Sequence, residues 1–108
     1  MQLAFATRRL RDLCEDEEAA RRVYPAPVVE ALEARLADLR AADSIFDLPV
    51  GDPVADGSSS IVITVDLCDG YELVFVSNHA TPPRTPSRDI DIARVRRLKL
   101  IEIRGGGS

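Results

Sequence analysis

The spacing of apolar positions divides the chain into strand-like and helix-like segments. Residues 2–6 alternate apolar with small or polar side chains, which is typical of a short strand, and Thr7 can cap a helix that follows. Apolar residues then recur at three- and four-residue steps as far as Val23, a spacing that predicts an amphipathic helix. Because the acidic run 15–18 interrupts this pattern, we expect the helix to be kinked or split near Asp16.

A second helix has the clearest pattern. Pro25 disfavours helical backbone at Tyr24 and Pro27 suits a first helical turn, so the second helix should begin there and end near Ala42. Its predicted buried stripe consists of Val28, Val29, Leu32, Leu36 and Leu39. We predict a loop over 43–60, which is rich in Pro, Gly, Ser and Asp, with at most one helical turn near its start.

The following segment has the pattern of a β-hairpin. Runs 61–67 and 71–77 have strand character, and the step from Asp69 to Gly70 favours the positive φ values of a tight turn. Residues 79–90 contain three prolines and therefore predict an irregular connection.

A last strand is predicted over 94–103. Alternation would place Leu98 and Leu100 on one face and Ile101 and Ile103 on the other, so we expect an interior strand buried on both faces.

Length and composition indicate one domain. The chain has 108 residues, of which 45% are apolar and 30% charged, and it is too short to enclose two cores without disulfide or metal support. Two helical stripes cannot bury each other alone, so both helices should pack on one face of the sheet in an α+β fold. We place the domain at 1–104 and a flexible tail, similar to an added linker, at 105–108.

Several classes of protein are excluded by composition. No stretch approaches the roughly 18 apolar residues that cross a bilayer, and the N-terminus lacks the pattern of a secretion signal, so we expect a cytoplasmic protein without a membrane partner. Cys14 and Cys68 form no CxxC pair, and the only histidine is His79. We therefore predict free thiols, no metal site and no cofactor.

Charge is unevenly distributed along the chain. The net charge is -4, yet residues 79–108 hold six Arg and Lys99 against three acidic residues. A cationic face on an acidic protein can still bind phosphate, although the net negative charge of the protein slows its association with RNA. The alternative interpretation of these cations is a solvated strand edge.

Strings along nearly the whole chain resemble one protein family. They are Phe5-Ala6-Thr7-Arg8-Arg9-Leu10, Leu13-Cys14, the segment 35–42, Asp47-Leu48-Pro49, Val65-Asp66-Leu67, Tyr71, Leu73-Val74-Phe75, Asn78-His79, Pro83, Ile90-Asp91 and Ile101-Glu102-Ile103. In order and spacing they resemble the RelE/ParE superfamily of bacterial toxin-antitoxin toxins, specifically the HigB-like "killer" subgroup.

The resemblance implies a fold, partners and an activity. It implies two N-terminal helices packed on a small curved antiparallel sheet, a cognate antitoxin as partner, and endoribonucleolytic cleavage of mRNA on the ribosome. In such cleavage a ribose 2′-OH attacks the neighbouring phosphate, so a base, an acid and cations that hold the phosphorane charge are needed, and a metal is not.

Candidate site residues follow from this chemistry. Our candidates for catalysis are Tyr71, His79 and Arg97, and our candidates for RNA binding are Arg84, Arg88, Arg94, Arg96 and Lys99. Alternation would place Arg97 and Lys99 on one face. We expect all these cations to converge into one anion-binding cradle above the hairpin. The alternative interpretations are that His79 bonds to nearby backbone and that the Tyr71 ring packs at the core margin.

Two positions depart from the family pattern. The family typically has Arg after the hairpin Tyr, whereas this chain has Glu72, a carboxylate that repels phosphate or pairs with one of the predicted cations. Many members also end in an Asp-Tyr-His-like tail, where this chain continues with Arg104 and glycines. An inactive RelE-fold module that holds an antitoxin-like partner is therefore a second hypothesis, and a domain that self-associates through a sheet edge is a third.

Overall fold

The computed structural model describes residues 1–48, 54–56, 61–79, 83–88 and 90–105. The remaining positions of the predicted loop, connector and tail, namely 49–53, 57–60, 80–82, 89 and 106–108, lie outside the described residues. The elements are β1 (Gln2–Phe5), α1 (Arg8–Glu15), α2 (Glu17–Arg21), α3 (Ala26–Ala41), a 3-10 turn (Ile45–Asp47), β2 (Val54–Asp56), β3 (Val62–Asp66), β4 (Tyr71–Ser77), a second 3-10 turn (Ile92–Arg94) and β5 (Arg97–Gly105).

The helices begin and end where the local chemistry predicts. The Thr7 hydroxyl accepts a hydrogen bond from the Leu10 amide at 3.1 Å, which caps α1. The predicted split at Asp16 is confirmed, because its carboxylate accepts from the Glu18 amide at 3.0 Å and starts α2. The predicted stripe of α3 is buried throughout. The chain is therefore an α+β domain with three helices among the described residues.

The sheet is mixed, with strand order β1-β5-β4-β3-β2. The predicted hairpin is confirmed, with φ of +53° at Asp69 and +79° at Gly70. Strand β5 is an interior strand as expected, but the prediction that it is buried on both faces is wrong, because only Leu98 and Leu100 on one face are buried. The prediction of a wholly antiparallel sheet is wrong, because β1 pairs with β5 in parallel. The prediction of a loop over 43–60 is wrong at Val54–Asp56, a strand too short to show alternation.

A β-bulge overturns part of the predicted last strand. Phe75 is opposite Leu100 whereas Val74 is opposite Glu102, so Ile101 is an extra residue on β5. The bulge returns Ile103 to the face of Leu100, where it packs against the core, and Ile101 is left 39% exposed. The strand also begins later than predicted, because Ile92–Arg94 forms the 3-10 turn.

Gly105 belongs to β5 and not to a flexible tail. Its φ is +106°, and a Cβ at this position would lie 2.1 Å from the carbonyl oxygen of Gly70. A side chain therefore does not fit here, and β5 extends one residue past position 104.

The two faces of the sheet differ in character. One face packs against the helices in a single core formed by residues such as Leu36, Phe75 and Leu98. The opposite face, which we call the outer face, carries Gln2, Ala4, Val62, Thr64, Asp66, Glu72, Val74, Val76, Arg97, Lys99, Glu102 and Arg104. These residues are exposed or half-buried, apart from Val74. None of the described helices has the length and apolar composition of a membrane span.

Candidate nucleic-acid interface

Two predicted cations share the outer face. Leu98 and Leu100 are fully buried in the core, so alternation along β5 places Arg97 and Lys99 on the opposite side of the strand. Lys99 lies between Ala4 of β1 and Val76 of β4, while Arg97 is opposite Gln2. The prediction that Arg97 and Lys99 lie on one face is confirmed.

His79 is bound to the backbone at the start of β5. Its Nε2 accepts hydrogen bonds from the amides of Arg96 at 2.8 Å and Arg97 at 3.2 Å. Burial lowers the pKa of His79, and the neighbouring positive charges of Arg97 and Arg96 lower it further. A neutral imidazole that accepts at Nε2 carries its proton on Nδ1. The two bonds to Nε2 agree with the interpretation of His79 as a backbone-bonded residue. Its Nδ1–H can donate a hydrogen bond to solvent or to a ligand.

Tyr71 lies at the other end of β4. Ser77 lies six positions further along the strand, a distance of about 20 Å. Its ring packs edge-to-face on Tyr24, with ring centroids 5.4 Å apart. The three candidate catalytic residues are therefore not brought into one site, because His79 and Arg97 adjoin at one end of the sheet and Tyr71 stands at the opposite end.

Glu72 forms a cross-strand ion pair on the outer face. The Arg104 Nε lies 2.7 Å from Glu72 Oε1, and Nη2 contacts the same oxygen. This hydrogen bond raises the pKa of the Arg104 guanidinium. The prediction that Glu72 pairs with a cation is confirmed, but its partner is Arg104, which was not among the cations predicted from the sequence.

Two of the remaining predicted cations are held by local contacts. Arg84 donates through Nη1 to the Arg88 carbonyl at 2.8 Å, and Arg96 donates to the Ala93 carbonyl at 2.8 Å. Arg94 is exposed at the end of the second 3-10 turn. Each guanidinium keeps further N–H donors for a ligand. Convergence of these side chains with Arg97 and Lys99 into one cradle stays a prediction.

One feature was missed from the sequence. A cavity of about 230 Å³ at the junction of β1 and α1 is lined by Phe5, Ala6, Thr7, Arg8 and Arg11. The sequence does contain an unusual feature at this place: the first turn of α1 has arginines and no acidic residue, whereas the helix dipole favours acidic residues at a helix N-terminus.

Groups that could hold a metal or act as a nucleophile are few. Within the described ranges, no three His, Cys, Asp or Glu side chains are grouped to hold a metal ion. Burial raises the pKa of the Cys14 thiol to about 12, which leaves it protonated and unreactive at neutral pH.

Comparison with known proteins gives no match: no family model, curated protein sequence or solved structure matches this chain. The RelE/ParE assignment therefore stays a prediction from the sequence.

Proposed function

We propose that this protein is a toxin of the RelE/ParE superfamily, of the HigB-like subgroup, which cleaves ribosome-bound mRNA and is neutralised by a cognate antitoxin. The assignment to the family is supported by the matching sequence strings. The observation that carries RNA binding is the pair of cations, Arg97 and Lys99, on the outer face of β5. They lie two residues apart, about 7 Å along the strand, a spacing that suits neighbouring phosphates of a single strand. Further along the same face, Glu102 follows and Arg104 is paired with Glu72.

The same face suits the chemistry of RNA cleavage. In this reaction the 2′-oxygen forms a bond to the adjacent phosphorus while the bond to the 5′-oxygen breaks. Arg97 and Lys99 would neutralise the charge of the phosphorane, and the Nδ1–H of His79 would donate to a phosphate oxygen. For His79 to take the 2′-OH proton, Nε2 would have to release the two backbone amides that it accepts now.

A second candidate is an inactive module that holds an antitoxin-like partner. It is favoured by the occupied Nε2 of His79, by the ion pair that occupies Glu72 and Arg104, and by the separation of about 20 Å between the two ends of β4. Under this hypothesis the outer face binds a partner and the groups for proton transfer are not assembled.

Induced expression of the full chain in a bacterial host tests the first proposal. We expect growth arrest and cuts in ribosome-bound mRNA, mapped by primer extension. The double variant Arg97→Ala/Lys99→Ala should relieve both. The matched control is Arg21→Ala/Arg22→Ala, which removes the same charge from exposed positions on and next to α2, away from the sheet.

The outcomes separate the two candidates. Normal growth with intact transcripts at high expression would reject the nuclease. A tight complex with the product of a neighbouring small gene, formed by a chain that leaves mRNA intact, would favour the binding module.

A further inference from the structure

The cavity at the junction of β1 and α1 combines an aromatic ring with two guanidinium groups. Phe5 is half-buried at the margin of the core, and the Cζ atom of Arg11 lies 6.0 Å from the centroid of its ring. Arg8 completes the cationic wall, and the volume is about 230 Å³. This volume is below the roughly 300–1,000 Å³ of pockets for drug-sized ligands, so the occupant should be about as large as one nucleobase.

No carboxylate of the described residues neutralises the charge of this cavity. Among the described residues, neither Arg8 nor Arg11 lies within ion-pair distance of a carboxylate. Both lie near the start of α1, where the helix dipole disfavours cations. An anion in the cavity would offset this repulsion. Because the Thr7 hydroxyl already caps the helix, the anion would be held by the guanidinium groups.

The cavity lies across strand β1 from the cations of the outer face, because Phe5 packs against the core whereas Lys99 is on the outer face. Lys99 is opposite Ala4 on β1, and Phe5 is the next residue, so the Cα atoms of Phe5 and Lys99 are about 6 Å apart. In the sheet order β1 is an edge strand. A single strand of RNA that leaves Lys99 can therefore round this edge and reach the cavity.

We propose that this cavity is a second RNA subsite, in which one base stacks on Phe5 in place of the Arg11 guanidinium, while Arg8 and Arg11 hold the adjacent phosphate. Aromatic stacking beside a cationic groove is the usual means by which proteins hold single-stranded RNA without sequence preference. The inference rests on the proposed RNA binding by the outer face and adds a subsite to it.

Binding of a short oligouridylate and of one twice as long, measured by fluorescence anisotropy over a range of salt concentrations, tests the subsite. For Arg8→Gln/Arg11→Gln we expect weaker binding of the long strand, with a salt slope smaller by about 0.7 for the one phosphate that the two arginines hold, and unchanged binding of the short strand. The control Arg21→Gln/Arg22→Gln removes two positive charges as well, one at the end of α2 and one just after it. It should bind both strands as the wild type does. Both pairs lie on exposed positions, so folding should be retained.

Each contrary outcome overturns a defined part of the account. If the control variant lost as much RNA affinity as Arg8→Gln/Arg11→Gln, the overall charge and not a subsite would be responsible. The same conclusion would follow if Arg8→Gln/Arg11→Gln lost as much affinity for the short strand as for the long one. Unchanged binding of both strands by Arg8→Gln/Arg11→Gln would reject the subsite alone. A wild-type chain that binds neither strand would reject the proposed RNA binding, and the subsite with it.

Discussion

Replacement of His79 tests whether its role is to position the start of β5. In His79→Ala, two backbone amides lose the acceptor Nε2. A typical intramolecular hydrogen bond contributes about 0.5–1.5 kcal/mol, and the bond from Arg97 is long at 3.2 Å, so we expect a loss of about 1–2 kcal/mol. For a domain of this size the melting temperature should fall by about 4–8 °C, measured by circular dichroism.

Replacing His79 by Gln or by Asn distinguishes a role in positioning the backbone from a role in proton transfer. The side-chain oxygen of His79→Gln can reach the place of Nε2, whereas that of His79→Asn reaches only the place of Nδ1. His79→Gln should therefore melt close to the wild type, and His79→Asn close to His79→Ala. An unchanged melting temperature in His79→Ala, or equal losses in the two amide variants, would refute the positioning role. Loss of mRNA cleavage in a fully stable His79→Gln would assign proton transfer to the imidazole.

The same residue predicts a dependence of stability on pH. Burial and the two arginines lower the pKa of His79 in the folded chain below its ordinary value of 6.5. Between the two pKa values the unfolded chain binds more protons, so stability rises with pH there. The contribution is complete above pH 6.5 and is lost as the pH falls through the folded pKa. Melting curves of the wild type should show this loss, and those of His79→Gln should lack it.

Two further variants test the sheet end near Tyr71. Gly105→Ala should lower the free energy of unfolding, measured by urea denaturation, by about 1–3 kcal/mol, because residue 105 has a φ of +106° and its Cβ would clash with the Gly70 carbonyl. The control Gly70→Ala should cost less, because nothing lies within 4 Å of a Cβ there. Equal costs would contradict the packing argument. Glu72→Gln should release Arg104, so the salt slope for RNA binding should rise by about 0.7. An unchanged slope would place Arg104 outside the RNA path.

The sequence predicted what depends on local pattern. The stripe of α3, the split at Asp16 and the Asp69-Gly70 turn are each determined by residues within one or two turns of chain. Two features that depend on pairing between distant strands were not predicted. The parallel pairing of β1 and the bulge at Ile101 arise from register between distant segments, and a single extra residue reverses the face of every position beyond it.

The site was predicted in part for the same reason. Arg97 and Lys99 share a face because they precede the bulge, so simple alternation holds for them. The partner of Glu72 could not be found, since Arg104 reaches it only through the shifted register. The backbone contacts of His79 depend on where β5 begins, which the pattern placed three residues too early.

The central claim is that Arg97 and Lys99 on the outer face bind RNA phosphates. Its most direct test is the slope of log binding constant against log salt concentration for single-stranded RNA, compared between the wild type and Arg97→Gln/Lys99→Gln. Each phosphate on a single strand contributes about 0.7 to this slope, so the account predicts a decrease of about 1.4 in the double variant. Identical slopes would contradict it.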